Sequence, residues 1–444
     1  MDKLYKIVDK YRQLILDAER YIWAHPETGF KEFETSKYLA EKFEQLGYKL
    51  TYAKGITGFY TVIDTGREGP CVLVLSELDS VLCPSHPEAN KETGAVHACG
   101  HNAQCASLLG IAALLTEQEV LDGLCGKIKL CAVPAEELLE IEYRNKLIKD
   151  GVIKYMGGKA EFLSRGYFDD VDIAFMVHTA HVYATQKQSV GIIAKNIIYK
   201  GVAAHAGGSP YAGKNALYAA NCGLNAINAL RETFREKDYI RVHPIITNGG
   251  SIVNGIPDRV TLESYVRGIS YDAIIRENKK VNRAIVGSAL SLGVNVEIID
   301  IPGYAPLDND INMINVAKEA FESVFPGQTF LVDINGINTG STDMGDLSGI
   351  FPSIHPYCAG VTGNGHGSDY YIVDPEKACV MNACWQVAML KLLLGNDAAR
   401  AKEVIANFKP KFSSKEEYFE FIDAINSSGD RIVYNDDETA SVKL

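Results

Sequence analysis

The sequence predicts an α/β protein built on a mostly parallel sheet, into which a smaller α+β domain is inserted. Three observations favour this fold class. Continuously apolar, β-branched runs recur in the first part of the chain, which is typical of strands buried on both faces of a parallel sheet. Helical patterns separate these runs. Further along, the order becomes strand, helix, strand, strand, helix, strand, which is the ferredoxin-like split pattern.

This change of pattern predicts three parts in a chain of 444 residues. Residues 1–188 and 303–395 would together form the parallel-sheet domain. Residues 189–302 would form the inserted domain, which has an ordinary size for a self-contained unit. Residues 396–444 would form a charged helical extension with a polar end.

Side chains capable of chemistry stand at the ends of the predicted parallel strands. The runs CVLVLSELDS, KIKLCAVPAEE and VDIAFMVHT end near Glu77 and Asp79, at Glu136 and Glu137, and at His178, respectively. In open parallel sheets the ligand crevice lies outside the carboxyl ends of the strands. We therefore expect a single site at this edge of the sheet.

The composition is that of an ordinary globular protein and argues against several functions. The net charge of −12 makes a nucleic acid or an anionic membrane surface an improbable partner. The apolar runs are shorter than a bilayer span, and the first helix carries charges throughout, unlike a signal peptide. The ten cysteines are scattered without a CxxC pair, so free thiols in a reducing compartment are expected. We therefore predict a cytoplasmic protein.

The stretch GAVHACGHNAQC places two metal-ligand types close together. Cys99 and His101 flank a glycine just before a small-residue apolar run. Thiolates and imidazoles bind borderline divalent metals, and a thiolate can bridge two ions. With Glu137, His178 and His366, they would form a two-metal site that leaves room for water. Each pattern alone has a structural explanation, so the prediction depends on their joint occurrence.

The stretch PAEE supplies a candidate base for hydrolysis. An amide is cleaved when a base takes a proton from water and passes it to the leaving nitrogen. Glu136, beside the ligand-type Glu137, is the natural candidate. Asp79 could accept a hydrogen bond from a ligand imidazole and orient it. The alternatives are a solvated surface for the glutamate pair and a loop cap for Asp79.

Several motifs follow one another as they do in a known family. They are HPETGF, HACGHN, PAEE, MVH, AAHAGGSP, NGIPDRV, GSTDMGDLS and GHG. From about Tyr5 to Leu394 the chain resembles the aminoacylase and auxin-conjugate amidohydrolase family of two-metal peptidases. It is most similar to the branch of p-aminobenzoyl-glutamate hydrolase subunits and β-alanyl-lysine-type dipeptidases. The resemblance implies a two-metal catalytic domain, an inserted lid and dimerisation domain, and hence a homodimer built through the lid.

The resemblance also assigns roles to individual residues. The metal ligands it implies are Cys99 at the bridging position, His101, Glu137, His178 and His366, with Glu136 as the general base. His205 would reach a neighbouring active site and stabilise the oxyanion. Asn254 and Arg267 would hold the carboxylate of the substrate. Glu77 stands where some relatives have a metal-binding histidine, and we assign it no ligand role. The cofactors would be two divalent ions, Zn²⁺ first, with Mn²⁺ or Co²⁺ as alternatives.

An insertion follows PAEE directly. Residues 138–156, LLEIEYRNKLIKDGVIKYM, separate it from the glycine pair that normally comes next. Loops this long in compact domains usually have a function. We predict that the insertion packs as a helix over the site and narrows the choice of substrate. A peripheral surface helix is the alternative.

The sequence thus predicts a metal-dependent amidohydrolase whose partner is a small-molecule amide. It would cleave the amide bond of an N-acyl amino acid or a dipeptide-like substrate, with Glu136 activating the attacking water. Two alternatives stay open. One is a catalytically silent relative that acts in binding or assembly. The other is a thiol hydrolase with Cys99 as nucleophile, which resistance to chelators would reveal.

Overall fold

The computed structural model describes residues 2–437 and 439–444, and its largest sheet has six strands. In spatial order the strands are Thr51–Tyr52, Phe59–Asp64, Lys127–Val133, Cys71–Glu77, Ile173–Phe175 and Ser353–Ile354. The last four run parallel to one another. Their residues are buried almost throughout, as in strands covered on both faces. This central sheet confirms the predicted α/β class.

The strand Phe59–Asp64 departs from the prediction, because it runs antiparallel to Lys127–Val133. Its sequence is almost continuously apolar, yet Val62 is 40 % exposed and the strand has one partly open face. Antiparallel strands tolerate a wet face, whereas parallel strands rarely do. An apolar run is therefore a poor guide to strand direction near the edge of this sheet.

Helices cover both faces of the central sheet. Those that enclose the larger core are Asp2–Ala24, Phe33–Gln45, His101–Leu114, Ile311–Val324, Asn382–Leu394 and Ala399–Asn407. Those on the opposite face are Gly158–Ser164, Met344–Ser348 and Lys415–Asp423. Shorter helical turns are Gln118–Leu121, Pro210–Ala212, Arg231–Thr233, Glu236–Asp238, Asn396–Ala398 and the π-helical Glu376–Met381.

The segment Glu376–Leu394 is the one helix, within the described part of the chain, that is long and apolar enough to cross a membrane. The expectation that every apolar run is too short for this is wrong here. About 78 % of its apolar window is buried inside the fold, where Trp385 is fully enclosed. Packing against neighbouring helices accounts for its composition, since a helix that is apolar all round is typical of a protein core.

The inserted region forms a second, entirely antiparallel sheet. Its strands, in spatial order, are Arg241–Val242, Arg259–Gly268, Gly191–Lys200 and Asn295–Pro302, with Ile245–Asn248 also paired to Arg259–Gly268. Helices Ala216–Leu230 and Tyr271–Ser291 pack on this sheet and share its apolar core. The order is the predicted ferredoxin-like one, so we refer to this region as the lid. The predicted domain limits at 188, 302 and 395 stay predictions.

A third sheet of four strands lies beside the edge of the central sheet. Its order is Leu331–Asn338, Ala184–Ser189, Tyr357–Ala359 and His178–Ala180. The remaining strands form two-stranded pairs. These are Val81–Leu82 with Ala95–Val96, Val361–Thr362 with Tyr371–Ile372, and Ile432–Tyr434 with Ala440–Val442.

The C-terminal extension is helical only in its first part, because it ends in the hairpin formed by Ile432–Tyr434 and Ala440–Val442. It contacts both larger units of the fold. Tyr418 donates a buried hydrogen bond of 2.7 Å to Asp346 in the parallel-sheet region. Ser427 exchanges backbone hydrogen bonds of 2.8 and 3.0 Å with Asp300 of the lid. The extension therefore links the two units.

Candidate metal centre and active site

Three neighbouring parallel strands bring their following loops to one edge of the central sheet. Glu77 is the last residue of its strand, and the loop that carries Glu136 follows the next strand. His178 begins a short strand just after Ile173–Phe175. The predicted convergence of these side chains at the carboxyl edge is what the structure shows.

Cys99 and His101 reach the same edge through a tight turn at Gly100. That glycine has φ of +86°, and a Cβ there would overlap the hydroxyls of Thr179 and Tyr370. Only glycine satisfies both constraints at low cost. The helix His101–Leu114 begins directly after this turn and is buried along its whole length. His101 is its first residue.

The five predicted metal ligands lie in two groups that share one sulfur. Donor atoms lie within 4.8 Å of one another among Cys99, His101 and His178, and again among Cys99, Glu137 and His366. The Cys99 sulfur is 3.4 Å from Nε2 of His178, and Oε1 of Glu137 is 3.1 Å from Nε2 of His366. A thiolate between two such groups is suited to bridging two cations.

The hydrogen bonds at this site fit a pair of divalent ions. Nδ1 of His101 and of His178 each lie near a backbone carbonyl oxygen, at 2.9 Å from Asp79 and 2.8 Å from Thr179, which leaves Nε2 free to bind a metal. Nε2 of His101 is buried and forms no hydrogen bond, although Oε2 of Glu77 lies 3.2 Å away. Buried polar atoms are normally partnered. A bound cation would satisfy this nitrogen.

The charges around the sulfur favour its ionised form. Burial and the Glu137 carboxylate oppose ionisation, but His101 and His178 outweigh them and lower the pKa of Cys99 to about 6. Burial likewise opposes ionisation of Glu137, yet the facing His366 lowers its pKa to about 2. In the same way the thiolate raises the pKa of His101 and His178, and the Glu137 carboxylate raises that of His366. Metal ligands must be deprotonated to bind, so a bound cation would replace the protons on these imidazoles.

Asp79 connects two of the ligand-bearing segments. Its carboxylate accepts a 2.8 Å hydrogen bond from the backbone N–H of Glu137, and its other oxygen lies 3.3 Å from Nδ1 of His101. The nearer acceptor for that imidazole is the backbone carbonyl of Asp79 itself. The backbone of Asp79 therefore faces this imidazole more closely than its side chain does, and the orienting role of the side chain stays a prediction.

Glu136 faces the cavity and is only 6 % exposed. Burial, together with the carboxylates of Glu77, Glu137 and Asp343, holds its pKa well above the ordinary value for a glutamic acid. A carboxylate whose proton affinity is raised is a better base for water near neutral pH. This environment suits the predicted role of general base.

Glu77 also lies near His101 and Glu136, in a third group of potential ligand atoms. However, its carboxylate is bound by Lys159, whose Nζ lies 2.5 Å away and also contacts Asp343. Gln104 donates a further 2.9 Å hydrogen bond to it. This buried lysine already neutralises the carboxylate, and the absence of a ligand role for Glu77 stays a prediction. Sequence reasoning did not pair Lys159 with either carboxylate.

The cavity beside these groups has a volume of about 270 Å³. Arg267 of the lid also lines it and donates hydrogen bonds of 3.0 Å to Ser341 and 3.2 Å to His243. Ser341 lies within the motif GSTDMGDLS, which the sequence singled out. Further lining residues that sequence reasoning missed are Tyr265, Tyr304, Asn338, His355 and Tyr357.

His205 and Asn254 do not reach this cavity. They lie side by side in two lid loops, where the N–H of Ala206 donates a 2.9 Å hydrogen bond to the carbonyl of Asn254. Nδ1 of His205 accepts hydrogen bonds from the N–H groups of Gly207 and Gly208, and both His205 and Asn254 are exposed. Of the three lid residues predicted to serve the site, the structure brings only Arg267 to it.

The insertion contains the helix Ile141–Lys149. Leu138 and Leu139 line the cavity itself. Behind them, Ile141 packs with apolar residues of the lid strands in one buried cluster. The insertion thus contains a helix, as predicted, while its packing over the site and its effect on substrate choice stay predictions.

Comparisons with known proteins agree with this geometry. The chain is similar to human Xaa-Arg dipeptidase, with 29 % identity over 366 residues that span 79 % of this chain and 77 % of the relative. It is also similar to the N-acetyl-L-cysteine deacetylase of Bacillus subtilis, with 27 % identity over 69 % of this chain and 71 % of the relative.

Solved structures show the same fold. A Bacillus subtilis protein described as a dinuclear metal-binding peptidase of the M20 family superposes with a TM-score of 0.62 at 21 % identity, over 87 % of this chain and 99 % of that one. An aminobenzoyl-glutamate utilization protein from Klebsiella pneumoniae superposes with a TM-score of 0.63 at 19 % identity, over 87 % of this chain and 98 % of that one. The sequence profile of one family matches residues 73–386. The chain belongs to peptidase family M20/M25/M40, whose members hydrolyse amide and peptide bonds.

Proposed function

We propose that the protein is a two-metal amidohydrolase that releases an amino acid from an N-acyl amino acid or a dipeptide-like substrate. One observation carries the proposal. Two groups of metal-ligand atoms share the sulfur of Cys99, and the buried carboxylate of Glu136 faces the same cavity. A surface pair of glutamates would not be buried in this way.

Two divalent ions held by this ligand set would lower the pKa of a water molecule and polarise the scissile carbonyl. The protein's own groups do the rest. Glu136 takes the proton of the attacking water and later delivers it to the departing nitrogen. Its raised proton affinity suits both transfers. Asp79 keeps the segments that carry His101 and Glu137 in register.

The substrate class is supported by a cation that lines the same cavity. Arg267 presents its guanidinium to the cavity and is held there by Ser341 and His243. Arginine binds carboxylates in a two-pronged geometry, which suits the free carboxylate of an amino acid product. The names of similar proteins point the same way, since they include an Xaa-Arg dipeptidase and an N-acetyl-L-cysteine deacetylase.

For the ions we propose Zn²⁺. A thiolate and three imidazoles form a softer ligand set than Mg²⁺ or Ca²⁺ prefers, and Zn²⁺ binds such sets readily. Mn²⁺ and Co²⁺ are compatible with the same ligands, and metal availability would decide among them.

We further propose a homodimer formed through the lid. His205 would then act at the cavity of a second copy, because in its own chain it lies exposed and away from the cavity. The lid loop that carries Asn254 also exposes Ile252 and Val253, and the edge strand next to it exposes Ile245. An exposed apolar patch beside an open strand edge favours association with another chain.

We also propose a cytoplasmic location. In the described part of the chain all ten cysteines are free, and most are buried. Free thiols persist in reducing compartments, whereas secreted proteins usually oxidise them in pairs.

The test combines metal content with hydrolysis. Purified protein would be analysed by mass spectrometry for bound metals and assayed on a panel of N-acyl amino acids and dipeptides, before and after chelation. We expect about two ions per chain and release of an amino acid that chelation abolishes. Full activity after complete metal removal would instead support Cys99 as a nucleophile. A fully loaded protein that hydrolyses no amide would support a role in binding or assembly.

A further inference from the structure

Arg144, in the insertion helix Ile141–Lys149, is a buried cation with an unusual set of partners. Only 1 % of it is exposed, and it forms no ion pair with any carboxylate within residues 2–437 and 439–444. Buried charges are normally paired with an opposite charge. Here the guanidinium donates instead to backbone carbonyl oxygens, at 2.6 Å to Met156 and 3.4 Å to Ala135, with a further contact to Glu137.

Two of these carbonyls flank the proposed general base. Ala135 and Glu137 stand on either side of Glu136, so one guanidinium fixes the backbone of the PAEE loop on both sides. Ala135 has φ of +56°, a left-handed conformation that a residue other than glycine adopts only at a cost. Surrounding contacts must therefore hold this turn in place.

A niche in the N-terminal region receives the guanidinium. A Cβ at Gly29 would overlap Nη2 of Arg144, so only glycine leaves room for it there. The ring of the adjacent Phe30 lies 5.5 Å from the guanidinium carbon, within range of a cation–π interaction. Both residues belong to the HPETGF motif, which the metal centre does not otherwise explain.

We propose that Arg144 is a positioning residue, which holds the PAEE loop so that Glu136 and Glu137 face the metals and the substrate. The proposal rests on the proposed amidohydrolase function. It also gives the insertion a role, because residues 138–156 supply the arginine that holds the preceding PAEE loop in place. Arginine suits this role because its planar fork reaches several acceptors at once, which a lysine ammonium cannot do in the same geometry.

The experiment compares Arg144→Lys and Arg144→Met with the matched control Lys146→Met, an exposed cation on the same helix. The first readout is hydrogen–deuterium exchange in metal-free protein, at the amides of residues 135–140. The N–H of Glu137 bonds to Asp79 and that of Leu139 to the Glu137 carbonyl, so both should be protected in the parent protein. We expect faster exchange there in both Arg144 variants, with no change in the central sheet.

The second readout is metal binding, measured by competition with a chelator, together with kcat and KM. We expect Arg144→Lys to weaken metal affinity and lower kcat, each roughly 10- to 100-fold, with little change in KM. A third variant, Arg144→Ala, leaves room for a free guanidinium ion. Added guanidinium should partly restore its metal affinity and kcat, whereas sodium chloride at equal ionic strength should not. The control should behave as the parent protein.

The outcomes separate this proposal from the function on which it rests. Unchanged exchange, metal affinity and kcat in variants that only melt at a lower temperature would overturn the positioning role and leave the amidohydrolase intact. A parent protein that binds no metal and cleaves no amide would defeat the proposed function. The exchange measurement would still decide whether Arg144 holds the loop.

Discussion

The floor of the cavity and the lid differ in how they present the residues predicted for catalysis. On the floor, Cys99, Glu136 and Glu137 come from strand ends and a helix start of one chain, and they are already close together. In the lid, His205 and Asn254 are exposed in loops and contact nothing in the cavity. A single chain therefore brings the predicted residues of the floor together, whereas we propose that the lid contributes His205 to another copy. The predictions below test this contrast, from the largest expected effect to the smallest.

Glu136→Gln should abolish most of the hydrolytic activity without loss of the bound metal ions. The amide keeps the size of the side chain but cannot accept the proton of the attacking water. We expect kcat to fall roughly 100- to 10,000-fold, as measured with the best substrate of the panel, while metal content stays unchanged.

Glu142→Gln is the control, because Glu142 is exposed on the insertion helix nearby. It should leave kcat unchanged. Near-normal turnover by Glu136→Gln would show that another group acts as the base.

His205→Ala should lower kcat roughly 100- to 1000-fold, since it removes a donor to the developing oxyanion. If the histidine acts in trans, mixing this variant with Glu136→Gln restores activity. Random exchange of protomers gives hybrid dimers that each contain one intact site, or about a quarter of all sites. The measurement is the rate of substrate hydrolysis by the mixture after the protomers have exchanged.

If protomer exchange is verified independently, an inactive mixture would contradict the proposal that His205 acts at the cavity of another copy. Val253→Asp offers a second check, because Val253 is fully exposed on the lid. We expect it to yield monomers by sedimentation and to lose activity as His205→Ala does. An active monomer would overturn the trans assignment.

Arg267→Met should affect substrate binding more than turnover. It removes a charged hydrogen-bond donor to the carboxylate, so we expect KM to rise roughly 10- to 100-fold with a smaller change in kcat. Arg241→Met is a close control, because Arg241 is the cross-strand neighbour of Arg267 and is exposed. An unchanged KM in Arg267→Met would remove Arg267 from the substrate site.

Tyr418→Phe should cost stability and leave kinetics unchanged. Its hydroxyl bonds to the buried Asp346, so its loss leaves that carboxylate short of a donor and costs about 1–3 kcal/mol of unfolding free energy. Tyr434→Phe is the control, because Tyr434 lies partly exposed in the terminal hairpin. This variant should change the free energy of unfolding by less than about 0.5 kcal/mol. Denaturant titration checks both. A changed kcat in Tyr418→Phe would mean that the extension acts on the site.

The sequence was most informative where local rules decide structure. Buried strands place their end residues at one edge, so Glu136 and His178 could be expected beside Cys99 before the fold was known. The ferredoxin-like order of the lid was also predictable, because each of its strands and helices has the hydrophobic periodicity typical of its type. These predictions required only the chain order and the residue types.

The sequence was least informative where distant segments meet. Lys159 lies between Glu77 and Asp343 because the tertiary fold brings three separated segments together, and no periodicity signals such a meeting. The direction of the strand Phe59–Asp64 depends on which face is covered, and the terminal hairpin depends on packing against the lid. His355 lines the cavity, although its sequence neighbourhood carried no sign of it.

The most direct test of the central claim is a crystal structure of the metal-loaded protein with anomalous diffraction collected at the absorption edge of the bound metal. The account predicts two anomalous peaks, one on either side of the Cys99 sulfur, with Glu136 facing the space beside them. A single ion held elsewhere, or a Cys99 thiol with no metal in a fully loaded protein, would contradict it.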